Sequence, residues 1–591
     1  MCRITGVIDK NSKQISQNTV CMRDAMKHGG PDHAGFYFDQ DRSFALGHRR
    51  LSIIDLCESG NQPMFSEDGE IALIFNGEIY NYKELKEELI KQGYQFNTHS
   101  DTEVIIKAYQ RWSTQCFEKF RGMFAIALLD KKRNELILAR DHAGIKPLYY
   151  YCDGNSLYFA SEIRAFRKLR NKWEENPDWR VYFLTYGYLP QSVTTLKGVK
   201  PLEKGSYCIF NIRTLHSKQY FFFEDIYTEE IKDLNEAREL VQQILCNAVN
   251  RHLIADAPLG LFLSGGIDSS LLTLLAKQYK NEDLHTLSII FDDKGYSEKK
   301  YQDIIAKKVQ SKHQSFLLSK EMFLNALPDI LEAMDQPSAD GINSYFISKF
   351  AKEAGLKAVL SGLGADELFG GYPSFNRIDL LKKLKWIPRL FLHAADRLSQ
   401  DKYRKINFLQ YKNSLGDYLF NRGYFTPRET ARLLDMEMQE VKSILSNVYI
   451  PAFVDNLSDG NKVSYLESNL YMESQLLKDT DVMSMWHSIE VRVPFLDYDI
   501  IKMIHKVDSS LKYNKKQGKF LLIDSFRELL PREIWNRKKQ GFVFPFDIWM
   551  RDSIEQYMPV EQNKDLNEQF KAGKLNWNRY WTYLICQKFK A

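Results

Sequence analysis

Between residues 259 and 361, short apolar runs alternate with longer amphipathic stretches, and this rhythm restricts the fold more than any other feature of the chain. Strands are expected at 259–263, 286–291, 314–318 and 358–361, with helices at 270–279, 298–309, 320–334 and 344–354 between them. Strand–helix alternation of this kind implies a parallel, doubly wound sheet. Ligands on such sheets sit beyond the carboxyl ends of the strands. The first two hundred residues follow another pattern. Apolar runs at 71–75, 123–129, 136–139 and 157–160 are separated by Gly, Asp and Asn clusters, which reads as strands joined by turns with helices interleaved. Asn81 with Glu84, and Ser100 with Glu103, have the spacing of capping boxes. The charged stretch 212–235 is short on core residues and is the expected linker, and from about 378 onward the pattern is mainly helical.

Composition narrows the class. In 591 residues, 44% are hydrophobic and 27% charged, which is ordinary globular usage and excludes a disordered scaffold. The 81 basic and 76 acidic side chains leave a net +5, too little to favour nucleic acid or an anionic membrane as partner. Eight cysteines include no CxxC pair, which fits a reducing compartment and predicts a cytoplasmic enzyme. No apolar run reaches the ~18 residues of a spanning helix, and MCRITGVIDKN lacks a signal-peptide core.

Three segments carry chemistry. In Leu261-Phe-Leu-Ser-Gly-Gly-Ile-Asp-Ser-Ser270 a strand runs into glycines and then into a helix opened by Asp268. Glycines let backbone N–H groups approach a phosphate, and a helix N-terminus favours anions. In Leu360-Ser-Gly-Leu-Gly-Ala-Asp-Glu-Leu-Phe-Gly-Gly-Tyr372 a second strand end carries Asp366 and Glu367. Asp268 and Asp366 would lie at the ends of parallel strands in one sheet, and paired carboxylates with substrate phosphates are a typical magnesium arrangement. The third segment is the N-terminus. Removal of Met1 would leave Cys2 with a free α-amino group, whose pKa of ~8 suits it as base for its own thiol. Arg50-Leu-Ser-Ile-Ile-Asp55, Phe75-Asn-Gly-Glu-Ile-Tyr-Asn81, Ser100-Asp-Thr-Glu103, Arg121-Gly-Met-Phe-Ala125 and Arg140-Asp-His-Ala-Gly-Ile-Lys-Pro-Leu-Tyr149 follow in order.

With these motifs, and with Glu490-Val-Arg-Val-Pro-Phe-Leu-Asp497, the chain resembles the glutamine-hydrolysing asparagine synthetase family from residue 2 to about 547. The resemblance implies an α+β N-terminal-nucleophile (αββα) glutaminase domain over 2–215. A doubly wound α/β domain of ATP-pyrophosphatase type, with a mainly helical C-terminal part, would occupy 236–591. It implies Cys2 as nucleophile and Asn76 with the backbone of Gly77 as oxyanion hole. Arg50 would clamp the glutamine carboxylate, with Glu78 and Asp101 on its ammonium. For ATP it implies Leu263, Ser264, Gly265, Gly266, Asp268, Ser269, Ser270, Ile289, Ser361 and Gly362, with Mg2+ on Asp268 and Asp366 and phosphate charge met by Lys519. Lys519 stands beside Lys515 and Lys516 and would otherwise read as a solvated lysine. The partners implied are small molecules: glutamine, ATP, and aspartate or another carboxylate. A homodimer is left open.

Three departures from the family stand out. Arg3 follows Cys2 where small residues are common, and His28-Gly-Gly-Pro-Asp32 lacks an arginine. The third concerns the acceptor. Leu363 stands where many members have a glutamate, and Asp335-Gln-Pro-Ser-Ala-Asp-Gly-Ile-Asn343 offers Asp340 where they have an arginine. Aspartate is the expected acceptor, and the alternative is a uronic acid sugar of surface-polysaccharide synthesis. The intact set of Cys2, Arg50, Asn76, Asp101, Asp268 and Asp366 speaks against a catalytically silent binding protein. Cys2 also speaks against a cyclase that needs no ammonia.

Overall fold

Side chains of period two, buried on both faces, build the first half. The computed structural model describes residues 2–589 apart from 170–171, 281–283, 294, 389–390, 393–399, 538–543, 552 and 559–563. Its strands are β1 (Arg3–Asp9), β2 (His33–Asp39), β3 (Phe44–Arg50), β4 (Met64–Phe65), β5 (Ile71–Ile79), β6 (Gly122–Asp130), β7 (Glu135–Arg140), β8 (Tyr149–Cys152), β9 (Ser156–Ala160), β10 (Lys200–Pro201), β11 (Ser206–Asn211) and β12 (Ser217–Phe221). They form two antiparallel sheets, ordered β10-β8-β9-β1-β3-β2 and β12-β11-β7-β6-β5-β4. On β5, Ala72 and Ile74 face the other sheet and join Ile4, Ile8 and Leu46 in one core. Ile71, Leu73 and Phe75 face outward against the helices Tyr82–Lys91 and Asp101–Trp112. Helix Ile15–Ala25 covers the outer face of the first sheet. Helix, sheet, sheet, helix is the expected αββα order. Because both faces are covered, the strands read as unbroken apolar runs rather than alternating ones.

The second half holds the parallel sheet: β13 (Leu259–Phe262), β14 (His285–Ile290), β15 (Lys312–Leu317), β16 (Ala358–Leu360) and β17 (Glu490–Arg492). The order is β15-β14-β13-β16-β17, and every pairing is parallel. The connections diverge between β13 and β16, so the crevice at their carboxyl ends is where this topology places a ligand. Among the described residues after 361, helices predominate, as expected, and no helix is long and apolar enough to cross a membrane.

Some local expectations give way to tertiary contacts. Strand β12 pairs with β11, so the first half's sheet runs to Phe221, past the boundary placed at 215. The charged stretch behind it is not a loose linker, because Phe223 and Ile231 are buried in the core between the halves. Asn81 stands at the N-cap of helix Tyr82–Lys91, but its side chain bonds the Lys119 carbonyl and the Arg121 N–H instead of capping it. Ser100 does cap its helix, but Glu103 accepts from the Asn97 and Thr98 amides rather than closing a box.

The halves share one interior. Leu51, Ile53, Met123, Ala143 and Ile145 pack into the same cluster as Leu360, Val491 and Leu496. Helix Trp179–Tyr186 of the first half lies in the core of the C-terminal helices. Buried ion pairs cross the boundary as well. Asp481 pairs with Arg3 at 2.8 Å and accepts from Lys146 at 2.7 Å, with all three side chains at most 2% exposed. Arg3, which follows Cys2 where small residues are common, is thus a tie between the halves. Removing one partner of a buried ion pair leaves uncompensated charge and costs about 3–5 kcal/mol. Asp481→Ala should therefore lower unfolding stability by about that much in urea titrations, and an unchanged midpoint would contradict this role.

Candidate active site

The strand period that builds the sandwich also assembles the first site. Cys2 shares the parity of Ile4 and Ile8, and Asn76 that of Ala72 and Ile74, so both enter the space between the sheets. The Cys2 backbone N–H donates to Asn76 Oδ1 at 3.2 Å. With its oxygen engaged there, Asn76 turns Nδ2 the other way. That atom is buried and has no hydrogen-bond partner among the described residues. An unpaired buried donor is costly, and an oxyanion at this place would satisfy it. At Gly77 a Cβ would stand 2.0 Å from the Met123 carbonyl oxygen, so no side chain fits. Burial pushes the Cys2 thiol up from its usual pKa, so its proton needs a nearby base. Met1, which masks the α-amino group, lies outside the described residues.

The residues expected to hold glutamine surround this pair. Arg50 ends β3 and donates to the Cys57 carbonyl at 2.7 Å, to Asn61 Oδ1 at 2.9 Å and to the Asp55 carbonyl. The loop 55–61 thus closes over its guanidinium with three of the five N–H groups, and the remaining two can meet a carboxylate. Asp101 accepts from the Ile79 N–H at 3.0 Å, and burial pushes its carboxyl up to about 6. Burial, with Glu490 and Asp101 nearby, holds Glu78 well above the usual carboxylate range. Arg492 on β17 explains the asymmetry. It lies 2.5 Å from Glu490 but 3.7 Å from Glu78, so Glu490 keeps the charge. The sequence motif Glu490–Asp497 contained this arginine, but its reach into the first half depends on how the domains dock.

At the crevice between β13 and β16 opens a cavity of about 1390 Å³. Its volume exceeds the ~300–1,000 Å³ of a single-ligand pocket, so it has room for a nucleotide and a second substrate. Leu263, Ser264, Gly266, Asp268, Ser269, Ile289, Ser361 and Gly362 line it. Gly265 turns the loop at φ +85°, and Ser264 Oγ accepts from the Gly266 N–H at 3.3 Å. Gly265 and Ser270 do not line the cavity; Ser270 is buried within helix Ile267–Tyr279. Lys519 is no solvated lysine. It is buried, with Nζ 2.5 Å from Asp268 Oδ2 and 2.6 Å from Asp366 Oδ1. Burial alone would lower its pKa, but the two carboxylates outweigh that and hold the ammonium above its usual value. Gly371 permits the approach, since a Cβ there would stand 1.6 Å from Asp366 Oδ1.

The donor set fits magnesium. Among the described residues no group of three or more His, Cys, Asp or Glu side chains could hold an ion. Magnesium commonly takes only one or two carboxylates, its other ligands being waters and substrate phosphates, and Asp268 with Asp366 supply two.

The far end of the cavity is acidic. Leu363, Asp340 and Asp479 line it, and burial raises both aspartates above the usual range, Asp479 strongly with Asp340 adding to the effect. Glu367 also lines it, and burial, with Asp366 beside it, pushes its carboxyl up to about 7. The cations on the wall are Lys516, Lys519 and Arg537. Lys519 is bound to the two aspartates, and Arg537 donates to the Gly265 carbonyl at 3.0 Å and pairs with Glu298 at 2.7 Å.

The glutamine end yields a pH test. Asp101 with a pKa of about 6 is charged above that pH and neutral below it. If it holds a substrate ammonium, kcat/KM for glutamine should fall as pH drops through about 6. Asp101→Asn should flatten that limb and raise KM at pH 8. An identical pH profile in the variant would remove Asp101 from glutamine binding.

Known proteins show the same two parts. Residues 1–221 match the family model of a glutamine amidotransferase domain, and residues 240–572 match that of asparagine synthase. Asparagine synthetase [glutamine-hydrolyzing] 1 of Bacillus subtilis is 35% identical, over 99% of this chain and 96% of its own length. Asparagine synthetase B of Escherichia coli is 30% identical over 65% of this chain and 67% of its own. Amidase chry2 of Gibberella zeae is 28% identical over 92% and 87%. The chain therefore belongs to the glutamine-hydrolysing asparagine synthetase family and is a glutamine-dependent amidotransferase of that type.

Proposed function

We propose that the chain hydrolyses glutamine at Cys2 and uses the ammonia, with ATP, to amidate a carboxylate through an acyl-adenylate. The observation that carries this reading is Lys519, held between Asp268 and Asp366 at the switch point of the parallel sheet. In the glutaminase step the Cys2 α-amino group, freed of Met1 and oriented by Asn76, takes the thiol proton. The thiolate attacks the glutamine amide carbon, and Asn76 Nδ2 with the Gly77 N–H meets the developing oxyanion. Ammonia leaves, and water releases glutamate. Leu51, Met123, Ala143 and Ile145 share an apolar core with Leu360 and Val491 of the second half, and we take ammonia to cross there. Such surroundings keep ammonia neutral, because burial disfavours the charged form.

In the second step a carboxylate oxygen attacks the α-phosphorus of ATP laid over the Ser264–Ser269 loop, and pyrophosphate leaves. Mg2+ on Asp268 and Asp366 would neutralise phosphate charge there. Lys519 does the same from the protein side. Ammonia then attacks the acyl carbon, AMP departs, and one proton must be taken up. Leu363 is unable to accept it. Glu367 lines the same cavity with a pKa of about 7, near the value at which a general base works best.

For the acceptor, kinship supports aspartate, since the Bacillus subtilis and Escherichia coli relatives are asparagine synthetases by name. The cavity wall supports the second reading. Aspartate has an α-carboxylate in need of a cation, whereas the acceptor end presents Asp340 and Asp479. Two carboxyl groups suit the hydroxyls of a uronic acid sugar. Mg-ATP with glutamine and a panel of carboxylates, scored by pyrophosphate and AMP, decides between them. ADP with orthophosphate would refute the adenylation scheme itself. We place the enzyme in the cytoplasm, where glutamine and ATP are supplied.

Cys2→Ala should abolish glutamate release yet keep synthesis from added ammonia, and wild-type glutaminase activity in the variant would dismiss the nucleophile. Glu367→Gln should lower kcat for synthesis by about 10²-fold and leave glutaminase turnover alone. With glutamine as nitrogen source, it should also remove the fall in kcat below about pH 7. An unchanged kcat would exclude Glu367 as the base.

A further inference from the structure

An arginine far along the chain grips the Ser264–Ser269 loop. Arg537 Nη2 donates to the Gly265 carbonyl at 3.0 Å and, from the same nitrogen, to Glu298 at 2.7 Å. Its guanidinium also stacks 3.8 Å from the Tyr301 ring centroid. Glu298 is 5% exposed and stands at the start of helix Lys299–Val309, which carries Tyr301. A carbonyl, a carboxylate and a ring thus hold the arginine on three sides. The same helix backs the loop directly, since a Cβ at Gly265 would stand 3.0 Å from Tyr301 Cβ.

The grip on one carbonyl sets the direction of the next N–H. A trans peptide is planar, and its C=O and N–H point opposite ways. With the Gly265 oxygen on Arg537, the Gly266 N–H is aimed to the other side, where it meets Ser264 Oγ at 3.3 Å. Ser264 and Gly266 both line the main cavity. Their bond is long for N–H···O, so a phosphate oxygen can take the N–H over, and successive backbone N–H groups of such a loop are what receive anions. The competing arrangement is the same peptide turned over, which changes only ψ of Gly265 and φ of Gly266. Gly265 lies at φ +85° and Gly266 at φ −75°. Neither has a Cβ to oppose the turn. Turned over, the peptide would present its carbonyl oxygen where the N–H had been and repel phosphate. Paired glycines therefore allow the loop to approach a phosphate but leave its polarity open, and a fixed donor on the Gly265 carbonyl closes that choice.

We propose that Arg537 is a positioning residue of the nucleotide site, which keeps the Gly265–Gly266 peptide turned with its N–H towards the terminal phosphates of ATP. It acts through the loop and stays on the Gly265 carbonyl, while Glu298 and Tyr301 keep it there. This rests on reading the main cavity as the ATP site.

The test measures binding of magnesium pyrophosphate, magnesium ATP and AMP by calorimetry. Wild type is compared with Arg537→Met and with Arg537→Lys, which leaves buried Glu298 a cation should the methionine variant fail to fold. Arg537→Met should weaken pyrophosphate and ATP by about tenfold or more, the size of one hydrogen bond to a charged group. AMP binding and glutamate release should stay as in wild type. Arg537→Lys should weaken pyrophosphate less than Arg537→Met and likewise spare AMP. AMP lacks the phosphates that meet the loop, so a general disturbance of the cavity would weaken all three ligands together. A crystal structure of wild type with magnesium pyrophosphate should show the Gly266 N–H on a phosphate oxygen and Arg537 still on the Gly265 carbonyl. Arg537 found on the phosphate would make it a ligand and overturn the proposal. Unchanged pyrophosphate binding in both variants, or an equal loss for AMP, would overturn it as well. Wild type that binds neither ATP nor pyrophosphate would instead fault the reading of the main cavity.

Discussion

The buried carboxylate of Asp481 holds the two halves of this chain in one register. It belongs to the helical part of the second half, yet both its cationic partners, Arg3 and Lys146, come from the first. Arg3 follows Cys2, the proposed nucleophile. The strand that presents Cys2 to Asn76 is therefore anchored in the body that carries the Ser264–Ser269 loop. From the other side, Arg492 reaches from β17 to within 3.7 Å of Glu78 while β17 itself pairs with β16, whose end forms the crevice. A shared apolar core and buried ion pairs make this interface rigid, where a small polar one would permit hinge motion.

That rigidity gives the two chemistries a fixed relation. Ammonia made in the first half has an apolar seam beside it, and protonation there is disfavoured. At the other end, Lys519 draws together segments near positions 268, 366 and 519 that are far apart in the chain. Gly371 allows the contact because any side chain would occupy the place of the Asp366 carboxylate. With Leu363 in the family's glutamate position, Glu367 is the base we propose for proton uptake, and burial pushes its carboxyl up to about 7.

Much of this was legible in the sequence, because it depends on local order. Strand–helix alternation predicts the parallel sheet, and glycines with acids after β13 and β16 predict the crevice. Long-range effects were not legible. Nothing near Arg3 announces Asp481, and nothing near Lys519 tells it from Lys515 and Lys516 except the fold. Strand β12 lies past the boundary placed at 215 because it is polar and gains its place by pairing with β11, not by burial. The box at Asn81 failed because the Lys119 carbonyl and Arg121 N–H compete for its side chain. The π-helix at Glu467–Leu477 has no sequence period of its own. It lies where Glu473 pairs with Arg140 of the other half at 3.4 Å.

The central claim is that one rigid body conducts ammonia from Cys2 to the adenylated carboxylate. Amide-15N glutamine supplied together with excess unlabelled ammonium tests it directly, with the isotope content of the new amide as readout. The account predicts a product amide that stays labelled whatever the ammonium concentration at pH 7. A label that falls in proportion to the bulk ammonium would show that the ammonia escapes to solvent, and would contradict it.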